Sequence, residues 1–458
     1  MTITLQNTEK GQCYAVKFDR YRQQVVDKLK SSVSIRWWDK QTGAWLIPAT
    51  NKCKAELDQL TYYVRHFEPV QWGTIAQSQT EEDVAFQIPE MPELDGEHGL
   101  KVQPYPYQLQ GIARGLQLKR FINGDDMGLG KTLESIATIN KADAFPCLVI
   151  CPNVVKINWQ REWHKFTDKK AMVLTDSVRD SWPFFWQTGM NQVFIVNYES
   201  LRKYFVRRIT KAEKWTLKDV EFHNTIKLFK SVIIDESHKV KSTATQQTKF
   251  CKGIASGKEY IILLTGTPVV NKPKDLVAQL GIMDRMIDMG GWKGFMLRYC
   301  SGPNQASNLK ELNYKLWQHC FFRREKSKVL TQLPDKVRQI VSCEITNRKE
   351  YMDAERDLID YLKRYKEADD EKIQKSLKGE VMVRIGILKD ITARGKLKEV
   401  IDFVKDFREN GKKIILFCNL HEIVDRLMIA FPSAVCVTGR QNMQEKQASV
   451  DAFQKNPK

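Results

Sequence analysis

Between residues 101 and about 280, short apolar runs alternate with stretches of helical periodicity. The runs include Cys147-Leu148-Val149-Ile150, Val193 to Val196, Val232 to Ile234 and Ile261 to Leu264. Each is apolar at every position instead of every second one, as expected of strands buried on both faces. Strands of that kind separated by helices predict a parallel sheet with helices on either side, an α/β fold. Residues 12–68 read differently. Tyr14, Val16 and Phe18 alternate with polar neighbours as in a half-buried strand, and Tyr21 to Leu29 has helical spacing. Residues 35–38 and 44–47 flank the turn Asp39-Lys40-Gln41-Thr42-Gly43 as a hairpin. Thr50 or Asn51 is placed to cap a helix with Ala55, Leu57, Leu60 and Tyr63 on its buried face. The pattern predicts a small α+β unit of order βαββα. Residues 281–400 are mostly helical by pattern, and Tyr351, Leu358, Tyr361, Leu362 and Tyr365 form one candidate stripe. A second α/β element is expected near Lys412, with a strand over Ile414-Ile415-Leu416-Phe417.

A length of 458 residues corresponds to about three domains. Residues 79–100 carry seven acids and no Lys or Arg, with Pro89, Pro92 and Gly96, which reads as an acidic linker. The charge is unevenly spread. The first hundred residues hold 11 Lys and Arg against 14 Asp and Glu, so the overall +18 leaves +21 on the remainder. A basic portion of that size fits a polyanionic partner, with nucleic acid first. No run of eighteen apolar residues is present, so no membrane span is expected, and the start lacks a secretory layout. The ten cysteines are scattered without a CxxC pair, which predicts reduced thiols in a cytoplasmic-type compartment and no zinc site.

Two clusters carry chemistry. Residues 124–132 read Gly-Asp-Asp-Met-Gly-Leu-Gly-Lys-Thr. Glycines at 128 and 130 let the backbone curl with Leu129 so that N–H groups face phosphate oxygens. A helix starting near Lys131 adds its positive end. Lys131 is positioned for the β and γ phosphates and Thr132 for Mg²⁺. Asp125 stands where the general phosphate-loop pattern has glycine. The second cluster, Asp235-Glu236-Ser237-His238, ends the apolar run 231–234, where open α/β sheets bind their ligands. There Asp235 suits the metal shell and Glu236 suits polarising an attacking water. The two together point to binding and hydrolysis of a nucleoside triphosphate with magnesium.

The ordered series of segments resembles the Swi/Snf-type ATPases of helicase superfamily two, from about residue 101 to the end. The resemblance is carried by Pro106-Tyr107-Gln108, by Gly128 to Thr132 and by Cys151-Pro152-Asn153 through Glu162-Trp163. It continues through Val196 to Glu199, Asp235 to His238, Thr265-Gly266-Thr267-Pro268 with Asn271, Arg323-Arg324 and Leu333-Pro334-Asp335-Lys336. It implies two RecA-like lobes closing on ATP, and an Asp at position 125 is usual in the family. It further implies that Gln108 reads adenine, that His238 with Thr265, Gly266 and Thr267 couples the γ-phosphate to the DNA side, and that Pro152, Asn153, Lys156 and Tyr198 track a phosphate backbone. The N-terminal unit resembles the HARP domain of annealing-helicase-like relatives, which implies contact with branched DNA through Arg36, Trp37 and Trp38. The expected organisation is a HARP-like unit at 1–78, the acidic linker at 79–100, an ATP-binding lobe at 101–280, helical insertions and junction at 281–395 and a partial second lobe at 396–458. The segments that carry the family's second-lobe arginine fingers are missing after Phe453, so a truncated form is expected. The function implied is an ATP-dependent translocase on duplex or branched DNA, monomeric, acting in the cytoplasm or with nucleoid or nuclear DNA. The alternatives are a nucleotide- and DNA-binding module with little turnover, or a DEAH-like RNA helicase.

Overall fold

The computed structural model describes residues 1–8, 11–72, 86–269, 272–300, 306–334, 336–356 and 380–456. Two compact units are present, Met1–Leu333 and Pro334–Lys458.

The first unit holds two large sheets. Strands β1 (Thr2–Thr8), β2 (Gly11–Lys17), β3 (Trp37–Asp39), β4 (Ala44–Pro48) and β5 (Gln71–Trp72) form the order β3-β4-β2-β1-β5. Helices α1 (Gln23–Ser32) and α2 (Asn51–Val64) bury Val25, Leu29, Cys53, Leu57, Leu60 and Val64 against Ile3, Val16 and Ile47. The βαββα expectation therefore gains a strand before it and a short one after it. Thr50 caps α2, its side chain accepting from Cys53 N at 3.1 Å. Ala55 is exposed, and the buried stripe runs through Cys53 and Val64 instead, one helical turn to either side of the expected residues.

The larger sheet has seven parallel strands in the order β14-β6-β13-β12-β7-β9-β8. They are β6 (Arg120–Asn123), β7 (Cys147–Cys151), β8 (Ala171–Val173), β9 (Val193–Asn197), β12 (Ser231–Asp235), β13 (Tyr260–Leu264) and β14 (Phe321–Phe322). Strands β10 (Val206–Ile209) and β11 (Val220–Phe222) make a separate antiparallel hairpin. Helices α3 (Pro106–Leu118), α4 (Lys131–Lys141) and α5 (Lys156–Phe166) belong to this lobe. Every residue of β7, β9 and β13 is buried, and Trp159 and Trp163 of α5 join the same core. The four apolar runs are strands, as their all-apolar pattern implied. Strand β14 comes from the stretch expected to be helical junction. Two residues are too few to show periodicity, yet they extend the sheet beside β6.

Residues 86–100 have the composition of a tether but lie along the lobe. Asn140 donates to Gly99 O at 2.7 Å, Lys141 to Glu97 O at 2.8 Å and Gln110 to Glu93 at 3.0 Å, while Met91 and Leu100 pack on the core.

In the second unit, helix Glu380–Glu409 packs through Leu397 and Val404 on Ile423 and Leu427 of helix His421–Ala430. Residues 412–418 make no strand pairing among the described residues, and Phe417 is almost fully exposed. This corrects the strand expected at Ile414–Phe417. A strand is a paired object, and apolar sequence without a partner ladder does not make one. Of the tyrosine and leucine stripe, Leu358, Tyr361, Leu362 and Tyr365 lie outside the described residues, as do Asn271 and Asp335. No described helix is long and apolar enough to cross a membrane.

Thr50→Ala removes the α2 cap and is expected to lower the stability of the N-terminal sheet by about 1 kcal/mol, while Thr50→Asn keeps it. Denaturant unfolding followed by tryptophan fluorescence reads the difference.

Candidate nucleotide site

Strand register assembles the site. Leu264 of β13 lies opposite Asn123 of β6 on one side and opposite Asp235 of β12 on the other. The phosphate loop leaves the sheet just after Asn123, the Thr265 segment just after Leu264, and the acidic cluster begins at Asp235. All three emerge at the same carboxyl edge. One strand separates loop and carboxylate, so they stand two strand spacings apart, roughly 10 Å. That gap is wide enough for phosphates and a metal ion.

Gly128 and Gly130 have φ of +87° and +86°, and α4 starts at Lys131. Gly130 has a second reason to be glycine, since a Cβ there would stand 2.3 Å from Gln108 Nε2. Lys131 Nζ donates to Asp125 O at 2.7 Å and to Asp126 O at 3.1 Å. Burial pushes its pKa down, while the charges of Asp125, Glu236, Asp235 and Glu134 pull the other way. Gln108 is buried, donating to Leu129 O at 3.0 Å and accepting from Tyr105 N at 2.9 Å. The amide expected to read adenine ties α3 to the phosphate loop in this structure.

Asp125, the departure from the general loop pattern, is fully buried in an ionic cluster. Arg324 Nε lies 3.1 Å from both of its carboxylate oxygens, and Arg324 N donates to Oδ1 at 2.7 Å. Arg324 Nη2 reaches Asp125 as well and donates to Glu134 Oε1 at 2.6 Å, and Asn123 Nδ2 donates to Glu134 Oε2 at 2.8 Å. Arg324 Nη1 donates to Tyr107 O. Burial works against the Arg324 charge, but Glu134 and Asp125 outweigh it and hold its pKa above the ordinary value. One guanidinium serves two carboxylates, so burial and then the Asp125 charge push Glu134 up. Sequence reading placed Arg323-Arg324 in a junction and missed this pairing. The available signal was an acid in a loop expected to approach phosphate, which calls for a cation elsewhere in the chain.

On the facing side, Asp235 Oδ2 accepts from Trp159 Nε1 at 2.9 Å and Oδ1 from Glu236 N at 2.9 Å. Each oxygen keeps lone-pair capacity for a metal. Burial raises the Asp235 pKa, and the Glu236 charge adds to it. Glu236 has φ +52° and ψ +49°, a left-handed conformation that costs a non-glycine residue about 1–3 kcal/mol. His238 Nδ1 lies 3.1 Å from Glu236 Oε2 and 3.3 Å from Thr265 Oγ1, which accepts from Thr267 N at 3.1 Å. The acidic cluster, His238 and the Thr265-Gly266-Thr267 segment are thus one connected network. Glu162 on α5 accepts from Asn158 Nδ2 at 2.9 Å and has its pKa raised, by burial first and with the Asp235 charge contributing. Neither Glu162 nor Trp159 was singled out as a site residue, although their spacing on α5 places both within reach of one end of the sheet.

Of the residues expected to follow a phosphate backbone, Asn153 is exposed and Pro152 half-exposed at the end of β7. Tyr198 is not available to an external ligand. It is 1% exposed, its hydroxyl donates to Asp235 O, and it props the strand end from beneath. Lys156 is 8% exposed and donates to Asn197 Oδ1 at 3.1 Å, so it too is directed inward. On the N-terminal hairpin Trp38 is exposed and packs edge-on against Trp45 with centroids 5.4 Å apart. Trp37 is half-buried against Leu46 and Ala44, and Arg36 donates to Val33 O.

The SNF2-related domain matches residues 40–399 of this sequence. The chain belongs to the SNF2-related family. Among its relatives, the SWI/SNF-related matrix-associated actin-dependent regulator of chromatin subfamily A-like protein 1 homolog of Caenorhabditis elegans is 29% identical over 249 residues, covering 52% of this chain and 33% of the relative. Its Xenopus laevis counterpart is 24% identical over 446 residues, 91% of this chain and 42% of the relative. The human DNA annealing helicase and endonuclease ZRANB3 is 26% identical over 381 residues, 78% of this chain and 33% of the relative. The chain therefore spans between a third and about two-fifths of the length of these relatives. The Sulfolobus solfataricus SWI2/SNF2 ATPase core in complex with dsDNA aligns with a TM-score of 0.43 at 23% identity, over 80% of this chain and 78% of that one.

Within this SNF2-related core, Arg324→Ala leaves two buried carboxylates without their cation, and a loss of about 3–5 kcal/mol is expected in urea unfolding of the first unit. Asp125→Gly restores the general loop pattern yet is expected to destabilise as well, because Arg324 N and Nε lose their acceptor. A second expectation concerns pH. Metal binding by Asp235, expected from its place at the end of β12, would need the carboxylate ionised, and its pKa lies above the usual carboxylate value near 4. Mg²⁺ affinity is therefore expected to fall on acidification at a higher pH than for an ordinary aspartate. Magnesium titrations with a fluorescent nucleotide between about pH 7 and about pH 5 check the sign.

Proposed function

We propose that this SNF2-related chain binds ATP with Mg²⁺ and is the first-lobe engine of a DNA-dependent ATPase that translocates on duplex or branched DNA. The observation that carries the reading is the convergence at one sheet edge of Lys131, Asp235 and Glu236, with the Lys131 ammonium on the carbonyls of Asp125 and Asp126. The residues fit the ligand. The loop backbone is curled by two left-handed glycines, and its lysine rests on backbone carbonyls that a phosphate would replace. Thr132 and Asp235 would hold Mg²⁺, which neutralises phosphate charge when bound. Lys131 binds the terminal phosphates. Glu236 orients and accepts the proton of an attacking water, and its strained backbone turns the carboxylate out of the strand line. His238 connects Glu236 to Thr265, so a change in hydrogen bonding at the base reaches the end of β13.

For DNA, the support is the +21 charge outside the first hundred residues and the exposure of Asn153 and Trp38. The N-terminal sheet is read as a HARP-like module whose Arg36 and Trp38 meet branched DNA. Contacts to phosphates without base readout make binding salt-dependent and sequence-tolerant. One observation favours a second reading, a nucleotide- and DNA-binding module with little turnover. Residues 412–418 and 434–438 of the second unit form no sheet among the described residues.

ATP hydrolysis measured with duplex DNA, forked DNA and RNA separates these readings. Stimulation by DNA is expected, and Glu236→Gln is expected to lower the rate by about 10²–10⁴-fold while nucleotide still binds. Hydrolysis indifferent to DNA defeats the translocase reading. Binding without turnover by the unaltered chain favours the module, and stimulation by RNA alone favours an RNA helicase.

A further inference from the structure

We infer that Lys326 is a second phosphate-contacting cation of the nucleotide site, acting on the terminal phosphate of a nucleoside triphosphate. The inference rests on reading residues 124–132 as a phosphate loop.

The segment after β14 is fastened to that loop along its length. Gly124 N donates to Phe322 O at 2.8 Å, and Asp126 N donates to Arg324 O at 3.1 Å. Both carboxylate oxygens of Asp126 are taken up by the same segment, Oδ1 accepting from Arg323 Nη2 and Oδ2 from Lys326 N, each at 3.0 Å. These bonds hold the Asp126 carboxyl below its ordinary pKa, the Lys326 backbone donor being the largest cause. The buried Arg324–Asp125 pair anchors the segment from beneath. Lys326 thus projects from backbone that is part of the phosphate loop in all but sequence, and lies 200 positions from Asp126.

Its ammonium lies over the loop. Lys326 Nζ is 3.2 Å from the point where a Cβ of Gly128 would stand. Gly128 is in the outer curve of the loop, three residues before Lys131 and away from the start of α4. The backbone N–H groups of such a loop cradle the inner phosphates, which leaves the outer phosphate to cations beside the loop. Among the described residues the Lys326 ammonium has no carboxylate partner, whereas neighbouring Lys328 pairs with Glu325 at 3.3 Å. A cation placed by fixed backbone beside a loop that binds anions, with no acid of its own, is available to the ligand. Lys131, on the carbonyls of Asp125 and Asp126, and Lys326, beside Gly128, would each add a charge-assisted hydrogen bond.

The test compares binding of ADP and of a non-hydrolysable β,γ-imido ATP analogue, each with Mg²⁺, to the full chain and to Lys326→Ala and Lys326→Arg. Lys326 is exposed, so neither variant disturbs packing. Lys326→Ala is expected to weaken the triphosphate analogue about tenfold while ADP stays within about twofold, and Lys326→Arg to restore most of the loss. Equal affinities in wild type and Lys326→Ala, or equal losses for both nucleotides, overturn the assignment. If the folded wild-type chain binds neither nucleotide, the phosphate-loop reading fails and this one falls with it. Wild-type binding with an indifferent Lys326→Ala sinks the Lys326 assignment alone.

Discussion

The ionic cluster of Arg324 with Asp125 and Glu134 is the constraint on which the candidate site depends. Two acids and one guanidinium are buried together, and the guanidinium is what makes burial of both acids tolerable. Asp125 fixes the start of the phosphate loop, Glu134 the first turns of α4, and Arg324 the segment that follows β14. Loop, helix and returning chain are thereby held in one geometry. The carbonyl of Tyr107 joins through Arg324, and Gln108 bonds to the loop at Leu129, so α3 is drawn in as well. The nucleotide binding proposed here would need a loop shaped before the ligand arrives, and this cluster supplies that shape.

The facing half of the site is organised from Asp235. Trp159 and Tyr198 are core residues whose polar tips end on its carboxylate and carbonyl. Large aromatic side chains fix the strand end by packing, and their single donors orient it. The left-handed backbone at Glu236 then directs the second carboxylate away from the sheet toward His238 and Thr265. The hydrolysis and coupling proposed for this site would thus depend on a few bonds around one strand end.

Membership of the SNF2-related family fits this division of labour. The family match runs from residue 40 to 399, across the whole sheet and the returning segment that carries Arg324. It begins inside the N-terminal sheet, at the turn of the β3–β4 hairpin. That sheet lies in the same compact unit as the large lobe, and the side chains of Arg298 and Asn308 approach the backbone at Gly11.

By itself the sequence determined the parallel sheet, because four all-apolar runs separated by helical stretches leave few other ways to bury every strand. It likewise located the left-handed glycine turn before α4 and the acidic end of β12, since glycine spacing and the end of an apolar run are local features. Thr50 as a helix cap was legible for the same reason. Tertiary structure alone decided what joins residues distant in sequence. The role of Asp125 is set by an arginine 199 positions away, and that of Tyr198 and Lys156 by burial that turns them from an external ligand toward Asp235 and Asn197. Strand β14 has no periodicity to read and exists because β6 offers it a ladder. At 414–417 the reverse holds: the apolar pattern is present, but pairing is a property of two segments and no single stretch of sequence contains it.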